Sequence, residues 1–401
     1  MQSRLFDLID GYNEEILDTA KEMIPIKAIS PESGGTGESK RADYLSNVLS
    51  EIGVEAKRYD YTDKSGAARP NLVAVLGGNK RTLWVVSHID TVSEGDMSLW
   101  LHDPFTLYVD GDKLYGRGIN DDGQDVLAGI YALKALKESG AKLKYNYGLA
   151  LVADEELGSR FGIEKLLEEG IFKEDDLFIV PDGGNDIGDE VEIAEKGILW
   201  AKISVHGKQV HASTPQLGVN AYRKAMLFMV MADKMLHEKY GKTNALFQPN
   251  TSTFEMTKHE KNIDSVNIIP GLDVSYIDCR VLPEYSLDSV LEDLKNLSKS
   301  PDLSNVKIDI EAFNREDAAE PTPADSAIAR LTAESVKKVL GIEPRMIGIG
   351  GGTCAAFFRK KGMDAVVWSK KADIAHQPNE YALLSDIQLD AKVFADMCIE
   401  K

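Results

Sequence analysis

The sequence predicts an α/β fold interrupted by a separate α+β region, and three observations support this. Apolar runs of strand length alternate with helical stretches between Leu72 and Val180. Beyond Pro181, two runs resemble strands with one solvent-facing side, and a long helical stretch lies between them. The alternation of strands and helices then returns towards the C-terminus. This alternation is typical of a parallel sheet covered by helices.

Each predicted element follows from local spacing. Apolar residues at helical spacing predict two opening helices, at Leu5–Leu17 and Leu45–Ile52. The α/β part then has strands at Leu72–Leu76, Leu83–Val86, Tyr147–Val152 and Phe178–Val180, with helices at Val126–Leu136 and Ile163–Leu167. The α+β part has strands at Ile198–Val205, Leu272–Cys279 and Val306–Ile310, with helices at about Val219–Tyr240 and Leu287–Leu297. The final part has a helix near Ser326–Leu340, a strand at Ala365–Trp368 and a helix at Asp386–Ile399. We therefore expect a discontinuous first domain, residues 1–196 and 313–401, around an inserted domain, residues 197–312.

Composition excludes several classes of protein. The 401 residues are 43% hydrophobic and 28% charged, which is typical of an ordinary globular protein. The formal net charge of −19 disfavours partners such as nucleic acid and anionic membrane surfaces. No apolar run approaches the roughly 20 residues of a membrane span, and the first residues lack a signal-peptide pattern. Three widely spaced cysteines fit neither a disulfide framework nor a CxxC zinc site, so we expect a cytoplasmic location.

Metal-capable side chains recur in turns that follow apolar strands or precede helices. Ligands of α/β proteins gather at the carboxyl ends of strands, so these turns are expected to converge. Taken singly, each segment has a structural alternative, such as a turn cap, a helix cap or a solvated carboxylate pair. His88 is more specific, because a carboxylate two residues later can orient a metal-bound imidazole. The segments are Ser87–Asp90, Gly116–Asp121, Asp154–Glu156, Pro181–Gly184 and Ala375–Glu380.

In this order the segments resemble the dinuclear zinc exopeptidase and amidohydrolase family. That family includes aminoacylase, succinyl-diaminopimelate desuccinylase, acetylornithine deacetylase, glutamate carboxypeptidases and carnosine-type dipeptidases. The resemblance extends to the motifs Trp100–Phe105, Gly207–Ala212, Asn267–Pro270, Asp278–Arg280 and Gly351–Thr353. It implies a mixed sheet of zinc-exopeptidase type flanked by helices, with an inserted α+β domain that serves as lid and dimerisation domain.

The resemblance also implies a ligand set and two cofactor ions. Asp121 would bridge two divalent metal ions, the first also held by His88 and Asp182 and the second by Glu156 and His376. Mixed nitrogen and oxygen ligation suits zinc, with cobalt or manganese as substitutes. An anionic bridge would offset the repulsion between the two ions.

The same resemblance implies roles for residues around the metals. Asp90 would fix His88, and Glu155 would act as general base and later protonate the leaving amine. His211 would stabilise the oxyanion, commonly from the other subunit of a homodimer, although a surface or hinge histidine is the alternative. Arg280 with Asn267 would bind the carboxylate or carbonyl of the substrate, unless Arg280 only pairs with Asp278. Gly352 and Thr353 would bring backbone N–H groups to the substrate, or form a structural turn.

We therefore expect a metal-dependent hydrolase that cleaves an amide or peptide bond beside a free carboxylate, through a water activated between two metal ions. The substrate would be a dipeptide or an N-acyl amino acid. Asp182 favours the dipeptidase, because deacylases of the family tend to have glutamate there, and Cys354 departs from the aspartate of many desuccinylases. The alternatives are a biosynthetic deacylase or desuccinylase, a non-catalytic metal- or peptide-binding protein, and catalysis by Cys354 with His376 as base.

Overall fold

The computed structural model describes residues 2–400, which form ten α-helices and four β-sheets. The helices are α1 (Gln2–Gly11), α2 (Asn13–Met23), α3 (Ser39–Glu51), α4 (Gln124–Ser139), α5 (Ile163–Glu168), α6 (Ala221–Lys239), α7 (Leu287–Leu297), α8 (Ala327–Leu340), α9 (Ala355–Lys360) and α10 (Leu384–Cys398). The first nine strands are β1 (Ala56–Thr62), β2 (Ala68–Leu76), β3 (Thr82–His88), β4 (Tyr108–Asp110), β5 (Lys113–Tyr115), β6 (Asn146–Val152), β7 (Leu177–Asn185), β8 (Glu190–Glu195) and β9 (Gly197–His206). The remaining strands are β10 (Val210–His211), β11 (Thr253–His259), β12 (Ile268–Ile269), β13 (Leu272–Val281), β14 (Lys307–Glu316), β15 (Arg345–Ile349), β16 (Ala365–Lys370) and β17 (Tyr381–Leu383).

The described chain divides into two compact units. The first comprises the residues up to Ile193, then Thr322–Ile347, and the residues from Thr353 onward. The second comprises Ala194–Pro321 and Gly348–Gly352. This division says nothing about the role of either unit. The lid and dimerisation domain at residues 197–312 therefore remains a prediction.

The first unit contains an eight-stranded mixed sheet, in the order β1-β2-β6-β3-β7-β16-β8-β15. Strands β6, β3, β7 and β16 are parallel neighbours, whereas β1, β2 and β8 pair antiparallel to their partners. Every residue of β3 and β6 is buried, as expected for strands covered on both faces. Helices α4 and α10 pack against each other and against β3, and an aromatic cluster including Trp84, Phe178 and Phe358 forms a second core. The mixed α/β prediction is confirmed.

Some predicted elements differ from the structure. The first predicted opening helix, Leu5–Leu17, is divided into α1 and α2, because the chain turns at Tyr12, directly after Gly11, a residue of low helical propensity. The parallel strands indicated by the alternation are β6, β3, β7 and β16, and the sheet is mixed, as the family resemblance implied. Strand β7 continues through Pro181 to Asn185, so Asp182 lies on a strand and not in the turn expected for it.

The second unit contains a four-stranded antiparallel sheet in the order β11-β13-β9-β14. Helices α6 and α7 cover one face, where their side chains bury a core that includes Ile203, Phe228 and Leu294. Strand β11 was not predicted from the sequence, because its residues after Phe254 are exposed and polar except for Met256. Within residues 2–400, none of the helices combines the length and apolar character that a bilayer crossing requires.

Candidate metal centre

Four parallel strands bring the predicted ligand segments to one edge of the sheet. His88 is the last residue of β3, and the Asp154–Glu156 turn follows β6. Asp182 lies on β7, and the loop that carries His376 follows β16. Because these strands are parallel neighbours, the four segments meet at their common carboxyl end.

Asp121 is the common member of two groups that could each hold a metal ion. His88, Asp121 and Asp182 form the first group, and Asp121, Glu156 and His376 form the second. Within each group the ligand atoms lie within 4.8 Å of one another. Asp121 Oδ1 lies 2.8 Å from His88 Nε2, and its Oδ2 lies 3.0 Å from His376 Nε2. The two oxygens of one carboxylate thus face one imidazole from each group.

Converging carboxylates shift the acidity of the groups in this centre. Burial and then the nearby Asp121 carboxylate raise the pKa of Asp182 to about 7 against the lowering effect of His88. Hydrogen bonds to Asp121 and Glu156 raise the pKa of His376 to about 10. Burial raises the pKa of Glu155 well above the ordinary value, and the charges of Asp182 and Glu156 add to this. The carboxylates among these groups repel one another as anions, so a cation at their centre would stabilise them.

Asp90 contacts the Asp154–Glu156 turn in addition to His88, the only partner predicted for it from the sequence. Its backbone carbonyl accepts a hydrogen bond from His88 Nδ1 at 3.1 Å, which leaves Nε2 facing Asp121. Its carboxylate also accepts the backbone N–H groups of Glu155 and Glu156, each at 3.1 Å. Asp90 therefore holds both His88 and the turn that carries the two glutamates.

A buried lysine beneath the centre was missed by the sequence analysis. Lys371 is 7% exposed, and its Nζ lies 3.3 Å from Asp122 Oδ1 and 2.6 Å from Asp125 Oδ2. Asp122 in turn accepts the backbone N–H of His88 at 3.2 Å. The run Lys370–Lys371 resembles a solvated surface pair in the sequence, so only the three-dimensional arrangement reveals this role.

The predicted substrate-binding residues of the second unit form two local groups. His211 on β10 pairs with Ile268 on β12, next to Asn267, and its exposed imidazole contacts Ser213 Oγ at 2.7 Å. Arg280 on β13 pairs with Asp278, as the alternative interpretation expected, and also donates to the Gly350 carbonyl at 2.9 Å.

The glycine-rich turn has a structural role. Thr353 Oγ1 accepts the backbone N–H of Ala355 at 3.1 Å where α9 begins, and a Cβ on Gly352 would lie 3.0 Å from Glu316 Oε2. Cys354 is buried, and burial raises the pKa of its thiol well above the usual range. A buried neutral thiol does not fit the nucleophile considered in the sequence analysis.

The donor set fits divalent metal ions. Two imidazoles and three carboxylates supply mixed nitrogen and oxygen ligands, and one carboxylate is placed to serve both groups. The first unit is therefore an α/β sheet that carries a candidate metal centre at the carboxyl ends of its parallel strands.

Comparison with known proteins identifies the family. The model described as peptidase family M20/M25/M40 matches residues 84–400, so the chain belongs to that family. An uncharacterised metallohydrolase of Methanocaldococcus jannaschii is 37% identical over 405 residues, covering 96% of this chain and 98% of the relative. A succinyl-diaminopimelate desuccinylase of Orientia tsutsugamushi is 26% identical over 384 residues, covering 94% of both chains.

A solved structure supports the same fold. Human carnosine dipeptidase 1 superposes with a TM-score of 0.74 at 18% identity, covering 99% of this chain and 98% of that chain. The predicted family resemblance is confirmed. The chain is a metal-dependent hydrolase of this family, with candidate metal-binding residues in its first unit.

Proposed function

We propose that the chain is a dinuclear hydrolase that binds two divalent ions, preferably zinc, and cleaves a peptide or amide bond beside a free carboxylate. The observation that carries this proposal is Asp121, whose two oxygens face His88 and His376 in two adjoining ligand groups. Glu156 and Asp182 would complete the two groups. When bound, such ions polarise a carbonyl and lower the pKa of a water molecule.

Glu155 would act as the general base. Its neighbour Glu156 contacts His376, whereas no metal-capable group includes Glu155 among the residues that the structure describes. The raised pKa of Glu155, which comes from burial and from the charges of Asp182 and Glu156, suits a carboxylate that accepts a proton from water and returns it to the leaving amine. Asp90 would keep Glu155 in place through the backbone N–H of that residue.

Residues 1–196 and 313–401 would form the catalytic domain, and residues 197–312 a lid and dimerisation domain. From that second domain His211 would stabilise the oxyanion. Arg280 and Asn267 would bind the substrate carboxylate or carbonyl, since Asp278 already holds the guanidinium in a fixed orientation. Gly352 and Thr353 would contribute backbone N–H groups.

A dipeptide is the substrate class that we favour, because Asp182 matches the dipeptidase pattern of the family resemblance. The similarity to a desuccinylase supports an N-acyl amino acid as the second candidate. The expected result is release of amino groups from dipeptides faster than from N-acyl amino acids, in an assay panel that includes succinylated and acetylated substrates.

Metal dependence is tested in the same assay. A chelator should abolish turnover, because both ligand groups depend on a cation, and added zinc, cobalt or manganese should restore it. The matched control is the chelated protein with added magnesium, which disfavours imidazole ligands. Metal binding without turnover of any substrate would favour a non-catalytic binding protein.

We also propose a homodimer formed through the second unit. The outer surface of α6 exposes Met226 and Val230, by 47% and 68%, and the adjoining edge strand β11 exposes Met256 by 41%. An apolar patch beside an edge strand is suited to pairing with a second copy of the chain.

Substitution of Val230 tests this dimer. Val230→Asp should shift the protein from dimer to monomer in analytical ultracentrifugation, because it places a charge in the apolar contact. The control is Phe313→Asp, which alters an exposed side chain on β14 at the opposite edge of the same sheet. A wild-type monomer, or equal dissociation by both variants, would contradict the proposed interface.

A cytoplasmic location is proposed from cysteine usage. Cys279, Cys354 and Cys398 are all buried and form no disulfide with one another. Reduced, buried thiols are typical of proteins in a reducing compartment.

A further inference from the structure

We propose that Glu380 is a positioning residue for the second metal group, because it joins the segment of Asp121 to the loop of His376. The inference rests on the proposed dinuclear centre and assigns a role to a residue outside both ligand groups. Glu380 is fully buried, and it lies four residues after His376.

Four N–H donors converge on the Glu380 carboxylate, all from one five-residue segment. Oε1 accepts the backbone N–H groups of Asn120 at 2.9 Å and of Asp121 at 3.1 Å. Oε2 accepts the backbone N–H of Gly118 at 3.1 Å and Nη1 of Arg117 at 2.6 Å. A buried carboxylate with this many donors holds a segment in one conformation, because any displacement leaves buried donors without a partner.

The segment needs such a support because its backbone is irregular. Gly118 has a φ of 76°, and a Cβ there would lie 2.3 Å from Thr91 Cγ2, so only glycine fits. Asp121 has φ and ψ of −118° and 94°, outside the helical region, just before α4 begins. The intrahelical hydrogen bonds of α4 therefore do not fix Asp121, and the Glu380 carboxylate supplies the acceptor for its N–H.

Arg117 connects Glu380 to the backbone of His376. Nη2 of Arg117 donates to the His376 carbonyl at 3.3 Å, while Nη1 of Arg117 binds Glu380. His376 itself has a φ of 64°, a left-handed conformation that a residue with a Cβ adopts only when its surroundings hold it. Arg117 and Glu380 thus connect the backbones of two ligands.

The two ligand groups depend unequally on the hydrogen bonds of Glu380 and Arg117. Asp121 and His376 are two of the three members of the second group, whereas only Asp121 belongs to the first. Glu156, the remaining member of the second group, is held separately by Asp90. Loss of these hydrogen bonds should therefore weaken binding of the ion in the second group more than binding of the ion in the first.

Glu380→Gln is the sharpest test, because it keeps the volume of the side chain and replaces one acceptor oxygen with an amide group that donates. Metal-stripped wild type and variant are titrated with cobalt, and the visible absorption of bound cobalt reports each equivalent. The expected result is a first equivalent bound as in wild type and a second bound about 10–100-fold more weakly. The absorption of the second equivalent should also change, which a loss of stability alone would not produce.

Asp176→Asn is the matched control. Asp176 is also buried and accepts three N–H groups, from Thr82, Trp84 and Lys173, but it lies beside the start of β3, and His88 lies at the end of that strand. This variant should lower the thermal midpoint and leave both cobalt affinities unchanged. Unchanged cobalt binding in Glu380→Gln, or equal weakening by both variants, would overturn the role of Glu380.

Arg117→Lys keeps the inference testable where Glu380→Gln does not fold. The lysine retains a positive charge beside Glu380 but cannot also reach the His376 carbonyl, so the second equivalent should weaken and the first should not. Wild-type binding of both equivalents would overturn the inference. A wild-type protein that binds fewer than two ions would overturn the proposed dinuclear centre itself, and the inference with it.

Discussion

Glu155→Gln is expected to lower kcat by about 10²–10⁴-fold while both metal ions stay bound, because the amide cannot accept the proton of the attacking water. Glu155 belongs to neither ligand group, and its backbone N–H bond to Asp90 does not involve the substituted atoms. The measurement combines steady-state kinetics on the best substrate with metal content after dialysis.

Glu156→Gln is the paired variant, because it makes the same chemical change at the adjacent residue. Glu156 Oε2 lies 3.0 Å from His376 Nε2, within the second ligand group. This variant should lose one metal ion as well as turnover. Equal loss of metal in both variants would reverse the assignment of base and ligand.

Lys371→Met is expected to lower the free energy of unfolding of the metal-stripped protein by about 3–5 kcal/mol, because it leaves buried carboxylates without their cation. Methionine preserves most of the side-chain volume, so the measured loss of stability reports the removal of the positive charge. Asp122 and Asp125, the partners of Lys371, have side chains with no exposed surface. Urea denaturation followed by circular dichroism measures the change.

Lys370→Met is the control from the adjacent residue. Lys370 pairs with Asp386, but its side chain is 20% exposed, so solvent compensates part of the lost ion pair. Its loss of stability should be clearly smaller. Similar losses for the two lysines would show that Asp122 and Asp125 do not depend on Lys371.

The sequence predicted the central strands because each contains an apolar run of strand length. The runs at Leu83–Val86 and Tyr147–Val152 lie within β3 and β6, and the helix predicted at Leu287–Leu297 has the bounds of α7. The ligand segments could be assembled from two facts, namely that the strands alternate with helices and that parallel strands share a carboxyl end. Of the five candidate ligand residues, the four on or after parallel strands were therefore predictable as neighbours, whereas Asp121 lies just before α4.

Other features depend on contacts between distant residues. Short strands such as β8 and β15 carry polar residues and take their conformation from pairing within the sheet. The roles of Lys371 and Glu380 depend on partners more than 240 residues away along the chain, which local patterns do not encode. The hydrogen bond from the backbone N–H of Glu155 to the Asp90 carboxylate likewise forms only because the fold places the turn after β6 beside Asp90.

Strand β16 lies between β7 and β8 in the sheet, although about 170 residues separate it from β8 in the sequence. During synthesis the ribosome therefore produces β7 and the whole inserted region before β16, the second of the two strands that pair with β7, exists. Until then, β7 has an open edge that exposes backbone groups and apolar side chains to other nascent chains. His376 follows β16, so a nascent chain that has not yet reached β16 lacks one member of the second candidate ligand group.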